Sequence, residues 1–419
     1  ADHPVAQSGE MFCARGHVCH SFFQSSGEGF NMTNYDFVID GIGAWDIGKG
    51  TYLTEGDAKM NSSKNSRERL LSFFGRVNYD YKGRYLFEAS ARYDGTSRFA
   101  AGSRWGIFPS GSLGWRISEE PFFANAKKHV NNLKLRASYG SLGNQNVGYY
   151  SHLRTISSSY FSNYTFGEGS TMPKYTSLSN PISDGLTWET SQQYNVGLDV
   201  AMLNNRLEFT AEAYIRDTKN MLTTGDALPA VYGASSPKTN NADLRTKGYE
   251  LSISWKDMFM LAGKPFEYNV GVHFNDYVTH ITKFNNPDKS FAKDYYVGMK
   301  YGDIWGYTVD GFFATDEEAK NYPVDQSIVN KIINASAGAE KGLRAGDLKY
   351  VDLNGNGKID TGQNTADDPG DRRIIGNSKP RYQYGINLGF NWLGFDFSMF
   401  IQGIGKIDWY PGADARSFW

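Results

Sequence analysis

Residues 71–94 read Leu71-Ser-Phe-Phe-Gly-Arg-Val-Asn-Tyr-Asp-Tyr-Lys-Gly-Arg-Tyr-Leu-Phe-Glu-Ala-Ser-Ala-Arg-Tyr-Asp94. Phe73, Gly75, Val77, Tyr79 and Tyr81 fall on one parity, and Phe74, Arg76, Asn78 and Asp80 on the other. That two-residue period belongs to a strand with one apolar face. Lys82-Gly83 supplies the turn, and Tyr85, Phe87, Ala89, Ala91 and Tyr93 then fall on one parity against Arg84, Glu88, Ser90, Arg92 and Asp94 on the other. The stretch is a hairpin whose strands are each about ten residues long, roughly what a tilted strand needs to cross a bilayer.

The same unit recurs along the chain. A strand over Trp105–Ile117 carries Trp105, Ile107, Leu113 and Trp115 on one face, with Pro109 marking a bulge or an unpaired position. One helical turn is expected over Pro121–His129. Leu133, Leu135, Ala137 and Tyr139 alternate next. Tyr194, Val196, Leu198 and Val200 face Leu207, Phe209, Ala211, Ala213 and Ile215 across Asn204-Asn205. Tyr249, Leu251, Ile253 and Trp255 face Phe266, Tyr268, Val270, Val272 and Phe274 across a turn near Gly263. A last hairpin turns at Leu393-Gly394. Short turns alternate with long polar connections, expected over 142–186, 217–244 and 277–379. That asymmetry favours an outer-membrane barrel over a soluble sandwich. Glu88 and Arg92 share a parity, as do Glu208, Glu212 and Arg216, while the opposite parity is free of charge. The charged parity is therefore expected to line a lumen.

Composition agrees. The 419 residues carry a net charge of −2, which gives no reason to expect a nucleic-acid partner. Aromatics make up 15% of the chain, and no apolar run approaches the roughly 18 residues of a spanning helix. A mean hydropathy of −0.51 is compatible with a membrane barrel, whose strands alternate and whose loops are polar. Ala1 to Glu10 has no secretory signal. Cys13 and Cys19, with His17 and His20 nearby, read first as a small loop disulfide and second as a metal site. Gly43–Gly50 approaches a phosphate-binding loop, but Gly50 stands where a Ser or Thr should follow Lys49.

Several stretches together resemble the SusC/RagA family of TonB-dependent outer-membrane transporters of Bacteroidetes. They are Gly75-Arg-Val-Asn-Tyr-Asp-Tyr81, Arg92-Tyr-Asp-Gly-Thr-Ser-Arg-Phe99, Pro109-Ser-Gly-Ser-Leu-Gly-Trp-Arg116, Leu133-Lys-Leu-Arg-Ala-Ser-Tyr-Gly-Ser-Leu-Gly-Asn-Gln145, Leu186-Thr-Trp-Glu-Thr-Ser191, Lys247-Gly-Tyr-Glu-Leu251, Gly346-Asp-Leu-Lys-Tyr-Val-Asp352 and Gly376-Asn-Ser-Lys-Pro-Arg-Tyr382. The resemblance implies an all-β fold, part of a large antiparallel transmembrane β-barrel, roughly 22-stranded in the family, with long extracellular loops. It also implies TonB-energised uptake of oligosaccharides (glycans) or peptides, together with a SusD-like surface lipoprotein and the TonB-ExbB-ExbD machinery. The alternatives are a structural or adhesive barrel protein and a passive porin.

On this reading 1–69 is an extracellular loop region with at most one strand, around Tyr35–Ile39. Residues 70–276 are barrel strands and loops, 277–379 a long extracellular insertion, and 380–419 a barrel hairpin with the start of the next loop. A plug domain and a TonB-binding segment are not seen in this chain.

Two constellations bear on the site. Asp352-Leu-Asn354-Gly-Asn356-Gly-Lys358-Ile-Asp360 has the oxygen-donor spacing of a calcium loop, with the Lys358 carbonyl at the seventh place and Gln363 at the twelfth. A structural Ca2+ (or Mg2+) is the expectation, set against an Asx-rich turn held by its own hydrogen bonds. The loop aromatics Trp45, Tyr149, Tyr150, Trp188, Trp305 and Tyr307 offer flat apolar faces to sugar rings or peptide side chains. No Gly-x-Ser-x-Gly or His-Glu-x-x-His occurs, so no catalytic residue is expected and the chain is read as a non-enzyme.

Overall fold

The computed structural model describes residues 6–7, 10–31, 62–160, 174–183, 185–226, 228–328 and 343–410. Eleven long strands follow a two-residue edge, Ala6–Gln7: β1 (Glu10–Asn31), β2 (Ser62–Tyr81), β3 (Tyr85–Thr96), β4 (Trp105–Arg116), β5 (Val130–Asn144), β6 (Glu189–Met202), β7 (Leu207–Thr224), β8 (Lys238–Leu261), β9 (Lys264–Lys283), β10 (Arg381–Trp392) and β11 (Phe395–Lys406). They form one 12-stranded antiparallel sheet in unbroken chain order. Among the described residues the sheet is open, with Ala6–Gln7 and β11 at its edges. The order is that of an up-and-down barrel wall.

Short turns of two to four residues close one end of the sheet at the β2–β3, β6–β7, β8–β9 and β10–β11 hairpins. Lys82-Gly83, Ala262-Gly263 and Leu393-Gly394 all adopt positive φ, as the hairpin turns that match strand twist require. Asp80 steadies the first turn by accepting the Gly83 amide at 2.7 Å. Between β4 and β5 the same end carries three short 3-10 turns, over Ile117–Glu119, Pro121–Phe123 and Ala126–Lys128, the last two falling in the Pro121–His129 stretch where a single helical turn is expected. Pro109 pairs with Ala91 on the β3 side, and β5 pairing starts only at Ser110, so its missing N–H costs no ladder bond.

Register carries one parity from strand to strand as a continuous apolar face. Val77 opposes Ala89, Phe87 opposes Leu113, and Leu113 opposes Ala137. The face continues through Ala137 to Val196, Val196 to Ala213, Phe209 to Ile253, Ile253 to Val272, Val272 to Ile386 and Ile386 to Ile401. These side chains are half-buried or exposed, with Ile253 46% exposed. A face this broad and apolar, on a wall whose other side is charged, is the lipid-facing surface of a barrel. Two aromatic bands border it. Near the short turns Phe259 and Phe390 pack on Phe266, and Phe390 stacks on Phe397. Near the long connections Tyr93 stacks on Trp105, Tyr139 meets Tyr194 and Tyr249 meets Phe274. Trp105 lies so close over Gly95 that a β-carbon there would come within 2.7 Å of the ring.

Several expected boundaries move. The region 1–69 contains the paired strand β1 and the start of β2; the expected strand around Tyr35–Ile39 lies outside the described residues. The connections expected at 217–244 and 277–379 are shorter, because β7, β8 and β9 extend well past the aromatic band. The 142–186 connection holds a small hairpin, Ile156–Tyr160 with Lys174–Leu178. The loop disulfide is also corrected. Cys13 and Cys19 lie six residues apart on the continuous strand β1, roughly 20 Å at about 3.3 Å per residue, whereas bridged Cα atoms lie within about 7 Å. The same spacing keeps Cys13, His17, Cys19 and His20 from gathering round one ion.

Candidate functional site

The parity opposite the lipid face carries a network of charges. Arg76 pairs with Glu88 at 2.5 Å, and Arg92 pairs with Asp94 at 3.1 Å while donating to Ser72. Arg136 bridges two strands, reaching Asp199 at 3.2 Å and Glu212 at 2.9 Å. Ser90 and Ser110 share a hydrogen bond of 2.7 Å, and Asn195 donates to Ser138. Apart from Arg92–Asp94, which lies within β3, these pairs cross strand boundaries, so strand register brings the partners together. Asn78, Glu88, Ser112, Lys134, Arg136 and Asn195 line a cleft of about 510 Å³ on this face. The surface suits a hydrated passage: it can exchange hydrogen bonds with a polar solute, and no described residue set suggests covalent chemistry.

Above this wall, at the end of the long connections, a small apolar core closes the strand tops. Phe99, Phe108, Val147, Leu186 and Trp188 are buried together, with Leu70 and Leu222 against them. The rings of Phe99 and Phe108 lie 5.6 and 5.3 Å from Trp188. Trp188 Nε1 donates to the Arg104 carbonyl at 3.1 Å. Gly143 leaves room for the Phe108 ring, since a β-carbon there would come within 2.0 Å of it. A nearly buried bidentate pair borders this core: Arg98 donates to both oxygens of Glu68 at 2.7 and 2.8 Å and to the Val147 carbonyl.

The insertion between β9 and β10 is an ordered unit in its described parts. Asp303–Tyr307 pairs with Arg372–Asn377, and Val309–Phe312 pairs with Leu348–Tyr350. Ile281, Tyr296 and Met299 form a core with Phe284, Phe291 and Trp305. Burial raises the phenols of Tyr296 and Tyr307 above their ordinary range. The short helix Asp316–Lys320 begins at a capping Thr315, whose hydroxyl accepts the Glu318 amide at 3.1 Å. Glu318 accepts from the Ala314 amide and from Lys349, and the Lys349 ammonium holds that carboxyl below the usual range.

The six aromatics expected to meet cargo divide. Tyr149 lies under the Arg98 guanidinium at 4.7 Å and is 43% exposed; Tyr150, with a positive φ, is 41% exposed. Trp188 is a core residue, 6% exposed, so its expected role is corrected. Trp305 packs 4.9 Å from Phe291 inside the insertion, and Tyr307 meets Tyr350 edge-on, which places both in packing contacts. Trp45 lies outside the described residues, as does the Gly43–Gly50 loop. The sequence reading missed Arg98 and Glu68, which tie β2 to the following connections. Their signal, a charge pair separated by 30 residues, has no local period to reveal it.

The calcium-like loop is held by its own side chains. Asp352 accepts the amides of Gly355, Asn356 and Gly357, the last at 2.7 Å, and this cradle, led by the Gly357 amide, lowers its carboxyl below the ordinary range. Asn354 accepts the Asn356 amide, and Asn356 accepts that of Lys358. Asp360 is held low first by the Gly362 amide, then by Asn356 and Lys358, whose ammonium lies 3.1 Å away. The fully buried Asp371 accepts from Leu353 and Asn354 with one oxygen and from Asp360 with the other. Ile359, 2% exposed, docks the loop by donating to the Asp325 carbonyl. Among the described residues no three His, Cys, Asp or Glu side chains converge as a metal cluster.

A sheet with one lipid face, one charged face, short turns at one end and ordered insertions at the other defines a transmembrane β-barrel wall of the outer-membrane type. Residues 17–417 match the family model for the TonB dependent receptor-like β-barrel, and the chain belongs to that family. The chain is 30% identical to the TonB-dependent receptor SusC of Bacteroides thetaiotaomicron, over 83% of this chain and 32% of the relative. It is 29% identical to the TonB-dependent receptor P3 of Formosa agariphila, over 91% of this chain and 36% of that protein. The chain thus spans about a third of the length of these curated relatives. The fold matches solved structures of the RagAB peptide importer with TM-scores of 0.67 and 0.68, at 20% and 19% identity, over 96% of this chain and 40% and 39% of theirs. The protein is therefore an outer-membrane barrel of the SusC type, and its kinship is with receptors and transporters, not enzymes.

Proposed function

We propose that this barrel wall serves TonB-energised import of oligosaccharides or peptides, with a SusD-like surface lipoprotein over the long-connection end. The observation that carries the reading is the pairing of a charged inner face with a structured extracellular rim. Kinship with a TonB-dependent receptor supports energised transport over a passive pore. Tyr149 and Tyr150 are the proposed cargo contacts, because they combine exposed rings with a position at the rim. The test is uptake of labelled oligosaccharides and of labelled peptides by cells carrying the protein, with and without TonB. TonB-dependent accumulation of one class supports the proposal; accumulation independent of TonB, or of neither class, refutes it.

The Asp352–Asp360 loop is further proposed as a weak structural Ca2+ site. Asp352, Asn354, Asn356, the Lys358 carbonyl and Asp360 would hold the ion, and the all-oxygen donor chemistry fits a hard cation. The absence of an acidic twelfth residue and the Lys358 ammonium on Asp360 both favour low affinity. The ion would stiffen the insertion. Calorimetric titration with Ca2+ tests this, and an Asp352→Ala protein that binds as the unchanged protein does would refute it.

A further inference from the structure

On the lipid-facing parity, cations rise in a strip that starts just beyond the upper aromatic band. Lys247 follows Tyr249 on this parity of β8, between Ile215 of β7 and Val278 of β9, and Arg245 follows Lys247 between Asp217 and His280. Lys219 lies on the same parity of β7, opposite Thr190 of β6 and at a bulge where the β7–β8 register shifts after Thr218. Two residues of strand rise about 6.6 Å, so Lys247, Arg245 and Lys219 sit about 7, 13 and 20 Å along the tilted strands from the level of the Tyr249 ring. That is the headgroup height of the leaflet whose acyl chains would touch Tyr249 and Phe274.

Three carboxylates share the strip: Asp243, two residues beyond Arg245 on β8, accepts the Asn220 amide at 2.8 Å, and each of the other two has its own guanidinium. Asp217 accepts from Arg245 at 2.7 and 2.8 Å, and Asp276 accepts from Arg381 at 2.5 Å through both oxygens. Lys219 and Lys247 are both exposed; Lys247 has no ion pair with a described residue, and Lys219 shares its charge with the Asp217 carboxylate two residues away. Arg245 remains 48% exposed despite its pair, so part of its fork is also open to a ligand. An exposed lysine flanked by isoleucine and valine on a lipid-facing wall is poorly explained by hydration alone.

We infer that Lys219, Arg245 and Lys247 form a site on the outer wall for a phosphorylated lipid headgroup of the outer leaflet. The charge complementarity is direct: a phosphate monoester offers several acceptor oxygens to two ammonium groups and one guanidinium. Continuity with the acyl-contacting face selects a membrane lipid over a free anion. The lipid would pack its chains along Tyr249, Ala213 and Phe274, below the lysines, while its phosphate meets them, fixing the β7–β9 staves against the leaflet.

The test is native mass spectrometry of the assembled protein extracted in mild detergent, with phosphorylated lipid A and its dephosphorylated form as probes. The expected result is retention of the phosphorylated form only, a fall of at least about fivefold in Lys219→Gln/Lys247→Gln, no change in the inner-face control Lys256→Gln, and no competition by inorganic phosphate. Equal retention of the two lipid forms would overturn the proposal, as would unchanged retention in the double variant. Displacement by inorganic phosphate would show an anion site in place of a lipid site. Heat-modifiable gel migration checks assembly, and should the double variant misassemble, Lys247→Gln alone must show a reduced ratio of phosphorylated to dephosphorylated lipid.

Discussion

Ile253 and Ser254 are neighbours on β8 that face opposite sides of the wall, so placing the same arginine at each separates the two faces. Ile253 lies between Phe209 and Val272, midway between the upper aromatic band at Tyr249 and the lower one at Phe259. In Ile253→Arg the guanidinium would enter the bilayer near its midplane, at a cost of about 2 to 4 kcal/mol. At 1.4 kcal/mol per tenfold, that is roughly one and a half to three powers of ten in the folding equilibrium. Ser254 opposes Glu208 across the ladder, so Ser254→Arg places its charge in the lumen beside a carboxylate and should cost less than about 1 kcal/mol. The assay is refolding of the assembled barrel into lipid vesicles across a urea series, read by heat-modifiable gel migration and tryptophan emission. Equal loss in the two variants, or greater loss in Ser254→Arg, would refute the assignment of faces.

Gly143→Ala drives a β-carbon into the Phe108 ring, and overpacking of this kind should cost about 1 to 3 kcal/mol, read as a lowered unfolding midpoint. Glu68→Gln removes the charge facing Arg98 and should destabilise by about 3 kcal/mol through the unpaired guanidinium, whereas Glu68→Gln with Arg98→Met should recover part of the loss. The Asp352 carboxyl is depressed in the folded loop, so its contribution is fully present above the unfolded value of about 3.9 and disappears as pH falls through the lower folded value. Hydrogen exchange at Gly355 and Gly357 should therefore stay slow, once corrected for intrinsic rates, until pH drops below about 4, and in Asp352→Asn this acid-dependent step should vanish.

The hairpins were readable because half-buried strands alternate and tight turns demand residues tolerant of positive φ. Phe73 to Tyr93 and Tyr384 to Ile401 show both signals within two dozen residues. The charge parity of Glu88, Arg92, Glu208 and Glu212 gave the facing for the same reason. The strand extensions above the membrane were not readable. Lys238–Leu244 runs beyond the apolar face of β8, so no two-residue period marks it in the sequence. The aromatic candidates failed where burial was decided by distant partners. Nothing local distinguishes Trp188, seated on Phe99 and Phe108, from Tyr149, which stacks under Arg98 at the rim. The cysteines were misread because a sequence spacing of six residues suits a loop bridge only when the chain turns back, and β1 does not.

The most direct test of the barrel-wall account is a spin-label scan along β8 from Lys247 to Asp257 in the protein reconstituted in lipid. Labels at 249, 251, 253 and 255 should be reached by dissolved oxygen and shielded from a polar nickel chelate, with 250, 252, 254 and 256 showing the reverse. A scan without that two-residue alternation, or with the parities exchanged, would contradict the account.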